Sequence, residues 1–296
     1  MTPPIVLAYA GESNIADAAR RLTSTGADVV TLTLDLGQRY DLEEIRDRAL
    51  AAGAVRAHVL DTYEEFVRDF LLPALHAGVP QPGWSVFVSA LAQALLARKL
   101  VEIAAIEGTR SVAHIEFGDA GQLDTNLKAL DGTITVLALS PGNTEAADIA
   151  RATIWGDPEG TSSRSLKTLD TPASVDVSFE RGVPVAINGV PMVLVELVES
   201  LSIIGEKNGA AAILDTALRA LETARVSPEL IRMRSDQARA YAELVFGGRW
   251  FTEARTELAG LNAKVQEMVT GTVRVRLFDG RLLSSSVLED ATVSRS

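Results

Sequence analysis

Six residues near the start of the chain, Tyr9-Ala10-Gly11-Glu12-Ser13-Asn14, follow a short apolar run and precede a helical pattern. A turn in that place can cradle a phosphate, because a glycine lets the backbone approach and the first N–H groups of the helix point at an anion. Gly11 supplies the close approach, and Ser13 supplies a hydroxyl. Glu12 opposes it, since a carboxylate at close range repels a polyphosphate. The same residues also make an ordinary strand-to-helix turn capped by Ser13 or Asn14. Neither G-x-x-x-x-G-K-[ST] nor G-x-G-x-x-G occurs near it.

Other residue types that carry chemistry are sparse. The three histidines, His58, His76 and His114, lack the spacing of metal ligands, so no metal site is expected. The pairs Glu43/Glu44 and Glu64/Glu65 fall near helix starts, where acids complement the helix dipole, and they suit that role better than an acid/base dyad. Trp84, Trp155 and Trp250 are dispersed, as packing residues are. There is no cysteine, which excludes disulfides, thiolate metal sites and a cysteine nucleophile.

The elements that must position these groups are soluble and globular in composition. The chain has 296 residues, 47% of them hydrophobic, with 28 Lys+Arg against 39 Asp+Glu and a net charge of −11. That length fits one large or two ordinary domains with a sizeable core. The acidic balance argues against wrapping a nucleic-acid backbone, which needs clustered Lys and Arg. The start, Met1-Thr-Pro-Pro-Ile5, lacks the basic and apolar regions of a signal peptide. No stretch approaches 18 uninterrupted apolar residues, so neither a membrane span nor a membrane partner is expected. The expected location is cytoplasmic.

The first half alternates strand and helix patterns. Strands are expected at 5–9, 29–36, 55–60, 111–115 and 133–139. Helices are expected from Ser13 or Asn14 to about Thr25, from Asp41 to Gly53, from about Tyr63 to Leu75, and from about Val86 to Glu107. Strands separated by helix-length segments imply βαβ units and a parallel sheet. From Ser140 to Pro172 the periodicity fades into a connection rich in Pro, Gly, Ser and Thr. The second half opens with a hairpin, 175–179 and 183–187. Helical patterns follow at 193–207, 210–225, 228–246 and 252–268. A second hairpin closes it, 270–278 and 282–287 about Asp279-Gly280. This half is α+β.

Several of these segments carry a joint pattern. Val6-Leu-Ala-Tyr-Ala10-Gly11, Asp35-Leu-Gly-Gln38, Asp41-Leu-Glu-Glu-Ile45-Arg46, Glu65-Phe-Val-Arg68 with Pro73-Ala-Leu75, Ala97-Arg-Lys99 with Val101-Glu-Ile-Ala104, and Val112-Ala-His114 occur in the first half. Phe179-Glu-Arg-Gly-Val-Pro-Val185 with Asn188-Gly189, Val195-Glu-Leu197, Ala242-Glu-Leu-Val245, Gly248 with Trp250, Gln266-Glu267 and Val269-Thr-Gly-Thr-Val273 continue it. In this order they resemble the argininosuccinate synthase family over most of the chain. The resemblance implies an α/β fold: a parallel-sheet, nucleotide-binding-like domain of the adenine nucleotide alpha hydrolase (Rossmann-like) kind, plus an α+β synthetase-like domain. The expected boundaries are 1–142, a connection at 143–172, and 173–296. The family joins citrulline to aspartate through a citrullyl-adenylate made from ATP, and its members are usually homotetramers.

Position by position, the resemblance implies a degenerate site. The family's S-G-G-x-D-x-S pyrophosphate loop falls on Ala10, Gly11, Glu12, Asn14 and Ala16, so only Gly11 matches. The L-G-T-S-L-A-R-P segment falls on Phe87 to Ala94, with Val88, Ala90 and Gln93 replacing its Gly, Ser and Arg. The H-G-x-T-G-K-G-N-D-Q-x-R segment falls on His114 to Thr125. There only His114 and Gly118 match, while Asp119, Gly121, Gln122 and Thr125 replace Lys, Asn, Asp and Arg. After Gly205-Glu-Lys-Asn-Gly209 a block that supplies citrulline ligands is missing. The remnant ATP site is therefore Ala8, Tyr9, Gly11, Ser13, Asn14 and Gly118, and the remnant substrate site is Ser89 and His114. No catalytic residue or metal ligand carries over.

These substitutions point to an argininosuccinate synthase-like protein without ligase activity and without a cofactor. It would act as a homo-oligomer, as a partner of a full-length argininosuccinate synthase paralogue, or as a binder of another small molecule. The alternative is a divergent, adenylate-forming ligase that uses ATP–Mg with an altered active site.

Overall fold

The computed structural model describes residues 3–9, 13–37, 41–79, 84–115, 121–139, 173–205, 209–278 and 281–288. The pyrophosphate-loop positions Ala10, Gly11 and Glu12 lie outside these, as do Gly118, Asp119, the connection at 140–172, the Asp279-Gly280 turn and the last eight residues. For Ser13 and Asn14 only the backbone is described.

The chain folds as two compact units, each with its own sheet and core. The first gathers the described residues up to Phe66, those from Ser89 to 139, and Leu244–Thr252; the second gathers Val67–Val88, the described residues from 173 to Glu243, and those from Glu253 onward. The units thus interleave along the sequence.

In the first unit the order is β1 (Ile5–Ala8), α1 (Ser13–Ser24), β2 (Val29–Asp35), α2 (Leu42–Ala51), β3 (Arg56–Asp61) and α3 (Tyr63–Phe66). A π-helical turn at Val67–Leu71 and α4 (Leu72–Ala77), both of the second unit, prolong α3 in sequence, and α5 (Trp84–Ile106, of the first unit from Ser89), β4 (Ser111–Ile115), α6 (Gly121–Leu130) and β5 (Thr135–Leu139) follow. The five strands are parallel in the order β3-β2-β1-β4-β5. Both faces are covered, which is why the strands are apolar without strict alternation. Leu7 and Val29 pack with Ala18, Ala19 and Leu22 of α1 and Ile45 and Ala49 of α2. On the opposite face Val6, Val30, Leu32 and Val112 pack with Ala97, Leu100 and Ile103 of α5 and Leu123 and Leu127 of α6. The N-terminus of α2 is capped as its sequence indicates, Asp41 Oδ1 accepting from Glu44 N at 3.0 Å.

The helix from Tyr63 was expected to end near Leu75; it runs to Ala77 and widens into the π turn midway. Gly78, at φ +64°, ends it in the left-handed conformation.

The second unit is built on β6 (Ala173–Glu180), β7 (Val183–Ile187), β8 (Val190–Pro191), α7 (Leu194–Gly205), α8 (Gly209–Arg225), α9 (Pro228–Phe246), α10 (Glu253–Gln266), β9 (Gly271–Phe278) and β10 (Arg281–Leu288). The strands are antiparallel in the order β10-β9-β6-β7-β8. Val273, Val275 and Leu277 alternate with Thr272, Arg274 and Arg276, burying one face against the core that α8 supplies through Ile213, Leu214, Leu218 and Leu221. Arg181 (φ 51°) and Gly182 (φ 78°) make the β6–β7 turn, with both central residues left-handed as a type I′ hairpin requires.

Candidate functional site

An open parallel sheet binds ligands beyond the carboxyl ends of its strands, at the point where the strand order reverses. Here that point lies between β1 and β4, so it is flanked by Ala8 and Tyr9 on one side and by His114 and the start of α6 on the other.

Ala8 ends β1, half-buried, and packs on the α5 and α6 side of the sheet. Tyr9 continues the strand: its N–H donates to Leu32 O at 2.8 Å and its carbonyl accepts from Thr33 Oγ1 at 2.7 Å. Its ring is only 3% exposed and belongs to the core formed with α1 and α2, with no partner for its hydroxyl among the described residues. Burial raises its pKa above the ordinary tyrosine value, against the lowering pull of Arg48 and Arg20. Tyr9 is a core residue in this fold. Ser89 lies half-buried in the second turn of α5.

His114 is buried near the end of β4. Its Nε2 lies 2.7 Å from Asp124 Oδ1 and its Nδ1 lies 3.1 Å from the Ile115 carbonyl. With both ring nitrogens engaged, it has none left for a ligand or a metal. Gln122, in the first turn of α6, is 8% exposed, and its Oε1 has no partner among the described residues. Asn126, one turn further, is also buried; its Nδ2 donates to Gln122 O at 3.1 Å.

The segment Gly248-Arg249-Trp250, remote in sequence, completes this corner. Trp250 N donates to Asn126 Oδ1 at 3.2 Å, and Trp250 is fully buried. Gly248 presses on the α6 backbone so closely that a Cβ there would lie 2.3 Å from Gln122 O. Arg249, exposed, follows directly. The sequence signal for this docking is the Gly-x-Trp spacing, a small residue for close approach beside a large one for burial.

Other polar groups of the unit tie its elements together. Glu65 holds Arg98 at 3.0 Å and Lys99 at 2.7 Å, and Lys99 also reaches Glu102 at 2.9 Å. Arg98 stacks over Phe251 with its guanidinium carbon 5.7 Å from the ring centre. His58 and Arg56 meet the buried Glu107 at 2.9 and 2.8 Å, at the amino ends of the strands and away from the switch point. Among the described residues no group of three or more His, Asp or Glu is placed to hold a metal, and no helix is long and apolar enough to cross a membrane.

The model of the arginosuccinate synthase N-terminal HUP domain matches residues 4–143, and that of the arginosuccinate synthase C-terminal domain matches 159–213 and 206–287. Among curated proteins, the argininosuccinate synthase of Shouchella clausii is 30% identical over 94% of this chain and 85% of its own length. The chain belongs to the argininosuccinate synthase family. The enzymes of Caldanaerobacter subterraneus (29% identical over 95% of this chain and 85% of theirs) and Oleidesulfovibrio alaskensis (30%, 94% and 86%) are similarly related. The first of these alignments spans 347 positions, more than the 296 residues of this chain, so the relative carries residues with no counterpart here. The parallel sheet is the HUP sheet of this family, and its second domain carries the antiparallel sheet with helices.

Proposed function

We propose that this chain is a non-catalytic argininosuccinate synthase-like protein: it keeps the family's fold, has lost the ATP-dependent joining of citrulline to aspartate, and acts as an oligomeric or small-molecule-binding relative. The observation that carries this reading is the β4–α6 corner. Where the family motif needs open polar groups for substrates, His114 has both nitrogens engaged and Gln122 is a buried amide lying under Gly248. The motif's aspartate, an anionic acceptor, is replaced there by an uncharged one. The substitutions at Ala10, Glu12, Asn14 and Asp119 support the same reading, because each removes a phosphate or substrate ligand or adds negative charge. The positions missing relative to full-length relatives support it further.

The competing reading, a divergent ATP–Mg-dependent ligase, draws on the intact strand order and its switch point. Calorimetry with ATP–Mg²⁺, together with pyrophosphate release in the presence of citrulline and aspartate, separates the two. We expect neither binding nor turnover. Turnover, or tight nucleotide binding, overturns the non-catalytic reading. The triple change Ala10→Ser, Glu12→Gly, Asn14→Asp is expected to restore no ligase activity, since the β4–α6 corner and the shortened second domain remain altered. Light scattering of the chain, alone and mixed with a full-length argininosuccinate synthase, tests whether its partner is a second copy or the paralogue.

A further inference from the structure

The solvent face of the second sheet carries two arginines in unequal settings. The register places Arg274 of β9 between Asp176 of β6 and Ser286 of β10, and Arg276 between Ser174 and Ser284. Arg274 grips Asp176 with both arms of its fork, Nε and Nη2 donating to the two carboxylate oxygens at 2.7 and 2.6 Å. Arg276 is exposed and has no ion-pair partner among the described residues, while both flanking serines are exposed hydroxyls.

β10 is the outermost strand of its sheet, and its register shifts between Leu282 and Ser284. Such a strand is already extended, is unpaired along its outer edge among the described residues, and opens at low cost because it has one neighbour and an irregular ladder. It carries three consecutive serines, all exposed. They are not equivalent. Ser285 is in register with Val275, on the opposite face from the arginines; Ser286 faces Arg274, whose charge Asp176 already neutralises; Ser284 alone faces a guanidinium without a counterion among the described residues. In the sequence Arg281 precedes Ser284 by three residues, a basic residue of the sort that charge-reading kinase subsites use to select a substrate.

We propose that Ser284 is a phosphorylation site for a protein kinase and that Arg276 receives the phosphate. In the transfer, Ser284 Oγ attacks the γ-phosphorus of ATP, the bond to the β–γ bridging oxygen breaks, ADP leaves, and the hydroxyl proton passes to the kinase's base. Directly opposed residues of an antiparallel pair lie within about 5.5 Å at Cβ, so the new phosphate falls within reach of the Arg276 fork. The product exchanges a neutral serine for a group of about −1.5 to −2 charge held by a charge-assisted bond across β9 and β10. The same group at Ser286 would face Arg274, whose fork the Asp176 carboxylate already occupies.

The test uses the full chain, a serine kinase that requires arginine three residues before its target, and ATP–Mg²⁺, with intact mass and peptide mapping as readouts. One phosphate on Ser284 is expected, lost in Ser284→Ala and kept in Ser285→Ala and Ser286→Ala. A ³¹P titration of the product then reports the partner. The second phosphate pKa, near 6 in free phosphoserine, is expected to fall by roughly half a unit beside Arg276 and to return in Arg276→Gln. No incorporation, or incorporation at another serine, overturns the site. A titration that Arg276→Gln leaves unchanged overturns the receptor. Because Arg276 and Ser284 are exposed, neither variant disturbs the core.

Discussion

The β4–α6 corner of the first unit and the His76–Arg234 cluster of the second both bury polar side chains, yet only the second buries an ion pair. In the second unit Arg234 Nη1 meets Glu222 Oε1 at 2.7 Å, its Nη2 donates to the His76 carbonyl, and its Nε donates to Asn262 Oδ1 at 3.3 Å. Gln266 Nε2 donates to Glu222, and His76 Nε2 lies 3.0 Å from the Gly182 carbonyl. Most donors and acceptors there have a partner, the buried Gln266 Oε1 being without one among the described residues, and the cluster ties α4, α8, α9, α10 and the β6–β7 turn together. In the first unit the corner likewise leaves Gln122 Oε1 without one, and it meets the solvent at Asp124. Each cluster leaves one amide oxygen unpartnered among the described residues, so what separates them is the charge buried in the second and the solvent reached by the first. Gln266 and Gly182 lie in segments that match the family pattern, whereas Gln122 departs from its motif.

The largest effect that tests this contrast is at the buried ion pair. Arg234→Met or Glu222→Leu alone leaves a charge about nine-tenths buried and unpaired, and is expected to cost about 3–5 kcal/mol. The double change should recover most of that loss, because it removes both charges. Urea unfolding of the full chain measures it, and a single change no worse than the double would deny that the two buried charges depend on each other. A smaller but substantial cost is expected for Gly248→Ala. Its φ of +66° is left-handed and its new Cβ would strike the α6 backbone, so about 2–3 kcal/mol should be lost from the first unit. A neutral result there would mean that Gly248 and α6 are not held in contact.

Most of the fold was legible because periodicity and punctuation agree along the chain. The Asp41 cap, the Arg181-Gly182 turn and the strict alternation of β9 each state locally what the packing needs. The π turn was not legible, since Val67 to Leu71 has an ordinary helical pattern. The site was legible only as a list of departures from a motif. That His114 is engaged at both nitrogens depends on Asp124, at a position the motif leaves unspecified, and that Tyr9 faces the helices depends on which side of β1 it takes. The docking of Gly248 and Trp250 on α6 joins residues about 120 apart, beyond any local pattern.

His76 allows the second cluster to be probed by pH. Burial lowers its pKa below the ordinary histidine value; the hydrogen bond to Gly182 O opposes this and Arg234 adds to it. The folded chain therefore binds fewer protons than the unfolded one once the pH falls below about 6.5. Its contribution is fully present above that pH and is lost as the pH falls towards the folded pKa, at a slope of at most about 1.4 kcal/mol per pH unit. His76→Gln retains a donor for Gly182 O but does not titrate. The stability of that variant should change less between pH 7 and pH 5 than that of the parent, and equal slopes would show that His76 is not held neutral.

The smallest expected effect is the one that bears most directly on function. Asp124 is about one-third exposed, so Asp124→Asn should cost only about 1 kcal/mol, the hydrogen bond to His114 being partly replaced by the amide and by water. If the corner is the remnant of a ligand site, relieving His114 of its carboxylate changes stability slightly and changes binding not at all, because the buried Gln122 amide and the altered pyrophosphate loop still stand in the way. Calorimetry of Asp124→Asn with ATP–Mg²⁺, citrulline and aspartate should therefore match that of the parent. Heat of binding that appears only in this variant would make Asp124 a plug in a site otherwise competent, and would overturn the reading of this corner as one that no longer binds.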